Sequence, residues 1–236
     1  MYKGLIKIMK LGICVAMEEE FVAISSILSN KKTLKNQLNI NEYQYKNLDI
    51  VAIVSKIGKA YSSSATSILI NEYKCDAILN VGSCGGVRDA NVGDIIISGE
   101  SGYWDVDVRG FGYKLGQIPG TSEYFKSSLN IDEICSKITS HKVLQGFVAS
   151  GDSFVNDANK VEEIKVMYNN ILAIDMEGAS IAQICSLYNI PYILVKKVSD
   201  KADKNATSSF REQITNMEQK TSDIVLNILD YLDSKK

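Results

Sequence analysis

The run "DAILNVGSCGG", residues 76–86, sets a short apolar stretch directly against a glycine-rich turn. A strand that is apolar throughout, rather than on alternate residues, is covered on both faces, as in a parallel sheet between helices. Working outward, comparable runs recur: "LGICVA" at 11–16, "GDIIISG" at 93–99, "VLQGFVAS" at 143–150, "ILAI" at 171–174 and "PYILVKKVS" at 191–199. Helical segments separate them: Glu18 to about Leu28, "GKAYSSSATSILINEY" at 58–73 with its Ala/Ser-rich face, 122–138, "DANKVEEIKVMY" at 157–168 and "MEGASIAQICSLYN" at 176–189. "LNINEYQYKNLDIVAIVS", 38–55, reads as antiparallel strands with a turn at 46–49. A last helix runs from Ser208 to Leu232, with Phe210, Ile214, Met217, Ile224, Ile228 and Leu232 forming a core stripe at helical spacing. The expected fold is α/β: a single domain over 1–236 with a central mixed, largely parallel β-sheet flanked by helices.

Charge and cysteine usage narrow the function. The 26 basic and 28 acidic residues leave a net charge of −2 with no clustered basic footprint, which argues against nucleic acid as a partner. Cys14, Cys75, Cys84, Cys135 and Cys185 are odd in number and contain no C-x-x-C, so they read as free thiols of a reducing cytoplasm and not as a zinc site. The lone histidine, His141, reads as a surface residue and leaves no material for a histidine-based triad or a multi-histidine metal site. Lys7 and Lys10 interrupt the first apolar run, no small-residue cleavage site follows, and no stretch is apolar enough to span a membrane. The expected location is cytoplasmic, with Met9 as an alternative start to Met1.

Ligands of open α/β sheets bind beyond the carboxyl ends of the strands. The segments that follow the apolar runs are Met17-Glu18-Glu19-Glu20, Gly82-Ser83-Cys84-Gly85-Gly86, Gly151-Asp152-Ser153-Phe154-Val155, Asp175-Met176-Glu177-Gly178 and Ser199-Asp200. Each alone has an ordinary reading: acidic residues start a helix, glycines turn a chain, Ser and Asp cap. Together they would bring several carboxylates, backbone N–H groups and apolar cover from Phe154, Met17 and Met176 to one sheet edge. Carboxylates without histidine, metal-type clusters or a P-loop lysine disfavour phosphoryl transfer and thiol chemistry. A carboxylate pair suits cleavage of a glycosidic bond, one protonating the leaving group and one activating water. A third carboxylate, an acceptor only when ionised, suits a ribose cis-diol.

The motifs "AMEEEF", "IGKA", "NVGSCGG", "VGD", "FGY…GQIPG", "SGDSFVN", "DMEGASIA" and "VSDKAD" occur in the order found in the 5′-methylthioadenosine/S-adenosylhomocysteine nucleosidases, which the chain resembles from about Lys10 to Leu232. The resemblance implies hydrolysis of the N-glycosidic bond of those two thionucleosides by a homodimer without metal or organic cofactor. It implies that Glu20 activates water, that Asp200 protonates adenine N7 with Ser199 orienting it, and that Glu177 grips the ribose hydroxyls beside Met176. Ser83 and Gly85 would line the ribose and water pocket, Phe154 would stack on adenine, and the Val155 backbone would read the base edge. Met17, Ile57 and Phe210 would form apolar walls, with Val108 and Phe111 of the neighbouring subunit around the alkylthio group. Glu18 and Glu19 would serve the helix start.

Three positions depart from the family pattern: Lys196 where arginine is usual, Asp175 where glutamate is usual, and Lys56 where glycine precedes "IGK". Lysine lacks the guanidinium fork, and a lysine at a tight turn is open to strain. The readings that compete are a purine nucleoside phosphorylase, a hydrolase of another purine nucleoside such as a menaquinone-pathway intermediate, and a silent nucleoside-binding relative. The phosphorylases of the family carry arginine where Asn80 stands and lack the "MEEE" glutamate, which favours hydrolysis.

Overall fold

The structure, a computed structural model, describes residues 10–34, 39–214 and 218–235; of 29–34, 214 and 218–219 only the backbone is described. Met1, Met9 and Met217 lie outside the described residues.

The strands are β1 (Lys10–Val15), β2 (Ser29–Leu34), β3 (Asn39–Tyr45), β4 (Leu48–Val54), β5 (Ala77–Gly86), β6 (Ile95–Ser98), β7 (Glu100–Tyr103), β8 (Phe125–Lys126), β9 (Leu144–Gln145), β10 (Phe147–Ser150), β11 (Ile171–Asp175) and β12 (Tyr192–Asp200). All belong to one mixed sheet, with the path β2-β3-β4-β1-β5-β11-β10-β7-β8, while β12 pairs β5 and β6, and β9 pairs β6. The helices are α1 (Glu18–Ser25), α2 (Lys59–Asn71), α3 (Ile131–Lys137), α4 (Ala158–Met167), α5 (Gly178–Tyr188), α6 (Ala206–Ile214) and α7 (Glu218–Ser234).

Both faces of the central strands are buried, as their continuous apolar runs require. Alternate residues feed opposite layers: Leu11, Ile13, Val15, Leu79 and Val195 pack with Phe21 and Ile24 of α1, Ile134 of α3 and Ile224 and Ile228 of α7. Cys14, Ile78 and Leu194 pack on the other side with Ala65 and Leu69 of α2 and Ala179 and Ala182 of α5. The small residues of α2 and α5 let these helices approach until Ser62 Oγ and Ser180 Oγ are 2.6 Å apart.

Three expectations are corrected. The helix expected over 122–138 is confined to α3, whose start is fixed by the Asn130 side chain accepting the Glu133 N–H; Phe125–Lys126 is instead a short strand on β7. The turn between β3 and β4 is only Lys46 and Asn47, since Tyr45 already pairs Leu48. "VLQGFVAS" is divided at Gly146 into β9 and β10, which pair with different strands. The C-terminal helical segments are α6 and α7, and 215–217 between them lie outside the described residues. His141 is also less solitary than expected, with Nε2 2.9 Å from Asp223.

The feature that creates room for a site is the length of β5. On one edge it pairs β12 from Ile78 to Gly85. Its other edge is shared: β1 pairs Ala77 to Asn80, and β11 meets only Gly85 and Gly86, antiparallel. Between them 81–84 have no strand partner on that edge, at the carboxyl end of β1. There the sheet opens.

Candidate active site

The segments beyond the carboxyl ends of β1, β4, β5, β10, β11 and β12 surround one cavity of about 430 Å³. Met17, Glu20, Ile57, Ser83, Gly85, Phe154, Val155, Met176, Glu177, Ser199, Asp200 and Phe210, twelve residues singled out from sequence, all line it. Val108 and Phe111 do not; Phe111 ends a 3-10 turn at Arg109–Phe111 and is 84% exposed. Sequence reasoning missed Ala202 and Thr207, which complete the wall after β12, and gave no role to Cys84 or Ile174.

Glu20 occupies the open edge of β5. Its position in the first turn of α1 lets it reach back, so that Oε2 accepts the N–H groups of Ala16 at 3.0 Å and Met17 at 3.2 Å. This is the backward half of a capping box. Oε1 accepts the Ser83 N–H at 2.8 Å and its hydroxyl at 3.0 Å. The unpaired segment of β5 thus has its amide satisfied by a carboxylate. Burial raises the Glu20 pKa; the Lys196 charge and the four donors oppose it without cancelling it. A carboxylate raised in this way is a better base than an exposed one. A Cβ on Gly82 would lie 3.1 Å from Glu20 Oε1 and 3.3 Å from Lys196 Nζ, so glycine leaves the space in which both groups sit.

Lys196 and Asp175, two of the departures noted in the sequence, are partners. Nζ and Oδ2 are 2.6 Å apart, and both side chains are 1% exposed. Burial works against the ammonium, but Asp175, then Glu177 and Glu20, hold it charged. The other bonds of Asp175 tie it to the start of α5: Oδ2 accepts the Gly178 N–H at 2.9 Å, and Oδ1 accepts the Ser150 hydroxyl, whose oxygen in turn takes the Ala179 N–H at 2.7 Å. Glu177, the residue before α5, is fixed by the Gly58 N–H at 2.9 Å. Burial, with Asp175 and Glu20 adding to it and Lys196 opposing it, pushes the Glu177 carboxyl up to about 7.

Asp200 lies at a β-bulge. The register of β12 against β5 shifts between Val198 and Asp200, and a bulge re-aims the side chains beside it. Asp200 Oδ1 accepts the Ala202 N–H at 2.8 Å, and Oδ2 is 2.8 Å from Ser199 Oγ, which is itself 3.1 Å from the Cys84 carbonyl. A hydroxyl has one hydrogen and cannot give it to both acceptors. With Asp200 ionised, Ser199 donates to Oδ2 and holds the pKa down; with Asp200 protonated on Oδ2, Ser199 is free to donate to Cys84. Burial outweighs this, raising the Asp200 pKa. The site therefore holds two carboxyls, Glu20 beside Ser83 and Asp200 beside Ser199, both raised by burial.

At the cavity mouth, Phe154 and Phe210 meet edge to face with ring centres 6.0 Å apart. The loop ahead of α2 contributes Ile57 to the cavity wall. Lys56 there has φ of 78°, a left-handed conformation that costs a lysine about 1–2 kcal/mol, so the strain expected from the sequence is present.

The family model of the phosphorylase superfamily matches residues 10–230. The 5′-methylthioadenosine/S-adenosylhomocysteine nucleosidase of Buchnera aphidicola is 38% identical over 96% of this chain and 99% of its own length. The crystal structure of the Neisseria meningitidis 5′-methylthioadenosine/S-adenosylhomocysteine nucleosidase in complex with methylthio-immucillin-A superposes with a TM-score of 0.90 at 31% identity, covering 94% of this chain and 99% of that one. Futalosine hydrolase of Helicobacter pylori has a TM-score of 0.89 at 26% identity, covering 95% and 98%. With near-complete coverage on both sides, the chain belongs to the phosphorylase superfamily, within its 5′-methylthioadenosine/S-adenosylhomocysteine nucleosidase family.

Proposed function

We propose that the protein hydrolyses the N-glycosidic bond of 5′-methylthioadenosine and S-adenosylhomocysteine, releasing adenine and the corresponding thioribose. Asp200 gives its Oδ2 proton to N7 of the base, which draws the C1′–N9 electron pair into adenine. Glu20 takes a proton from a water as the oxygen bonds to C1′. The two carboxyls exchange protonation states and return by proton transfer through solvent. Glu177 accepts from the ribose hydroxyls, Ser83 and Gly85 flank the sugar, Met176 packs beside it, Phe154 covers the base, and the Val155 backbone meets its edge.

The observation that carries this reading is the pairing of Asp200, raised by burial, with a four-donor Glu20 in the wall of one cavity. A phosphorylase is disfavoured because no arginine lines the cavity, and because the Asn80 amide is spent on the Cys14 carbonyl at 2.9 Å. Adenine release from 5′-methylthioadenosine, with and without phosphate, tests the assignment. Equal rates are expected; phosphate-dependent ribose 1-phosphate would overturn it. The likeness to a futalosine hydrolase supports a second reading in which the preferred nucleoside bears a different 5′ group, and the same assay across nucleosides separates the two.

The reading extends to a cytoplasmic homodimer in which Val108 and Phe111 close the neighbouring subunit's cavity. Its support is a phenyl ring that is 84% exposed and does not line its own chain's cavity. Among the described residues no helix is long and apolar enough to cross a membrane, and no group of three or more His, Cys, Asp or Glu could hold a metal ion.

A further inference from the structure

Lys56 immediately precedes Ile57, which lines this cavity. The Lys56 backbone is in a conformation that glycine adopts freely and lysine does not, with φ of 78°. Such strain persists where a side chain has a use. The next residue, Ile57, lines the cavity and is 48% exposed, and the one after, Gly58, donates to Glu177. The loop therefore runs along the sugar end of the site, away from Asp200.

The two lysines of this segment are in different states. Lys59 is committed: its N–H donates to Asp152 at 2.8 Å, and its ammonium lies 2.7 Å from Asp105. Among the described residues no carboxylate lies within ion-pair distance of Lys56, whose ammonium sits 5.4 Å from the ring centre of half-exposed Tyr61. A cation resting on an exposed ring is held by only about 0.5–1 kcal/mol. It can move to a carboxylate at little cost.

We propose that Lys56 is a specificity-determining residue that receives the carboxylate of a 5′-substituent emerging past Ile57, and so favours nucleosides with an anionic or amino-acid tail over those ending in a methyl group. The proposal rests on the nucleosidase reading and names the tail chemistry that this chain selects. Seated on an aromatic face, the ammonium is oriented without being neutralised, which is the state a binding cation needs.

The test compares kcat/KM for S-adenosylhomocysteine, for its carboxamide, whose tail lacks the carboxylate charge, and for 5′-methylthioadenosine. Lys56→Met, which keeps a non-glycine residue at the strained position, is expected to lower the homocysteine-to-methylthio ratio about three- to tenfold, through KM, without moving the carboxamide-to-methylthio ratio. Lys56→Arg retains the preference, and salt erodes it in the parent. An unchanged ratio in Lys56→Met, or equal falls for acid and carboxamide, overturns the assignment while leaving the nucleosidase reading in place. Absence of adenine release from 5′-methylthioadenosine by the unaltered protein would remove that reading, and the inference with it.

Discussion

Replacing Glu177 with glutamine should make the ligand-free protein more stable in alkali while disabling it. The carboxyl is pushed from an ordinary 4.5 to about 7, chiefly by burial, so the folded chain binds this proton more tightly than the unfolded chain. A raised folded-state value means that the stabilisation is fully present below pH 4.5, is lost progressively on the way to about 7, and is absent above it. At ~1.4 kcal/mol per tenfold, the parent gives up roughly 3 kcal/mol across that window from this group. Glutamine has no proton to lose and its Oε1 can still accept the Gly58 N–H, so the variant should lack that decline. For a chain of this length ~3 kcal/mol corresponds to roughly 6–12 °C of melting temperature. Thermal unfolding of parent and Glu177→Gln from pH 4 to 9 reads the effect: near-equal melting at pH 4, an advantage for the variant that grows between pH 4.5 and about 7, and a constant advantage above that. Adenine release should meanwhile fall by at least about 10²-fold, because an amide offers the ribose diol a donor where an acceptor is needed. Parallel melting curves at all pH values would refute the claim that this carboxylate is held against its own solvation.

Asp200→Asn removes the proton donor while keeping an acceptor for the Ala202 N–H, and should reduce turnover about 10²–10⁴-fold with adenine binding retained in calorimetry. Gly82→Ala places a methyl about 3 Å from Glu20 and Lys196 and should depress kcat far more than the melting temperature, a split visible by measuring both. Lys196→Met leaves Asp175 buried without its cation, at a cost of about 3–5 kcal/mol by denaturant unfolding. Lys56→Gly relieves the left-handed strain and should gain about 1 kcal/mol in the same measurement.

The strand ends were legible because they depend on local pattern: an apolar run buried on both faces must stop where polar residues begin, and there the chain turns over the sheet edge. That logic located the segments that hold Glu20, Ser83, Glu177 and Asp200, while the choice of Glu20 over Glu18 and Glu19 came from the family resemblance. It could not show that Lys196 and Asp175 are partners, because their 2.6 Å contact depends on β11 and β12 reaching β5 from opposite edges. Nor could it show that Ser199 and Asp200 sit at a bulge, since a one-residue register shift leaves no mark in composition. The error over 122–138 has the opposite cause. The apolar residues there suit a helix, but Phe125 is used by β7 and the Ser127 N–H by the Gly99 carbonyl at 2.7 Å, so pairing in the sheet overrides the local preference.

The charge balance in the cavity bears on the choice between water and phosphate. Glu20, Asp175 and Glu177 surround a single ammonium, and Asp175 holds it. The other two carboxyls are both raised, Glu20 by burial and Glu177 by burial with Asp175 and Glu20 adding to it. A neutral nucleoside gains little from such a pocket in its ground state. The same sugar becomes cationic as the C1′–N9 bond lengthens, and then gains from each carboxylate that faces it. Interactions stronger in the transition state than before it are the ones that accelerate a reaction. An incoming phosphate dianion would meet the same carboxylates with the opposite sign of interaction, and with no arginine in the cavity wall to offset it. The residues that make the pocket costly to keep folded are those that would select a neutral nucleophile, and this is the physical reason to expect hydrolysis here.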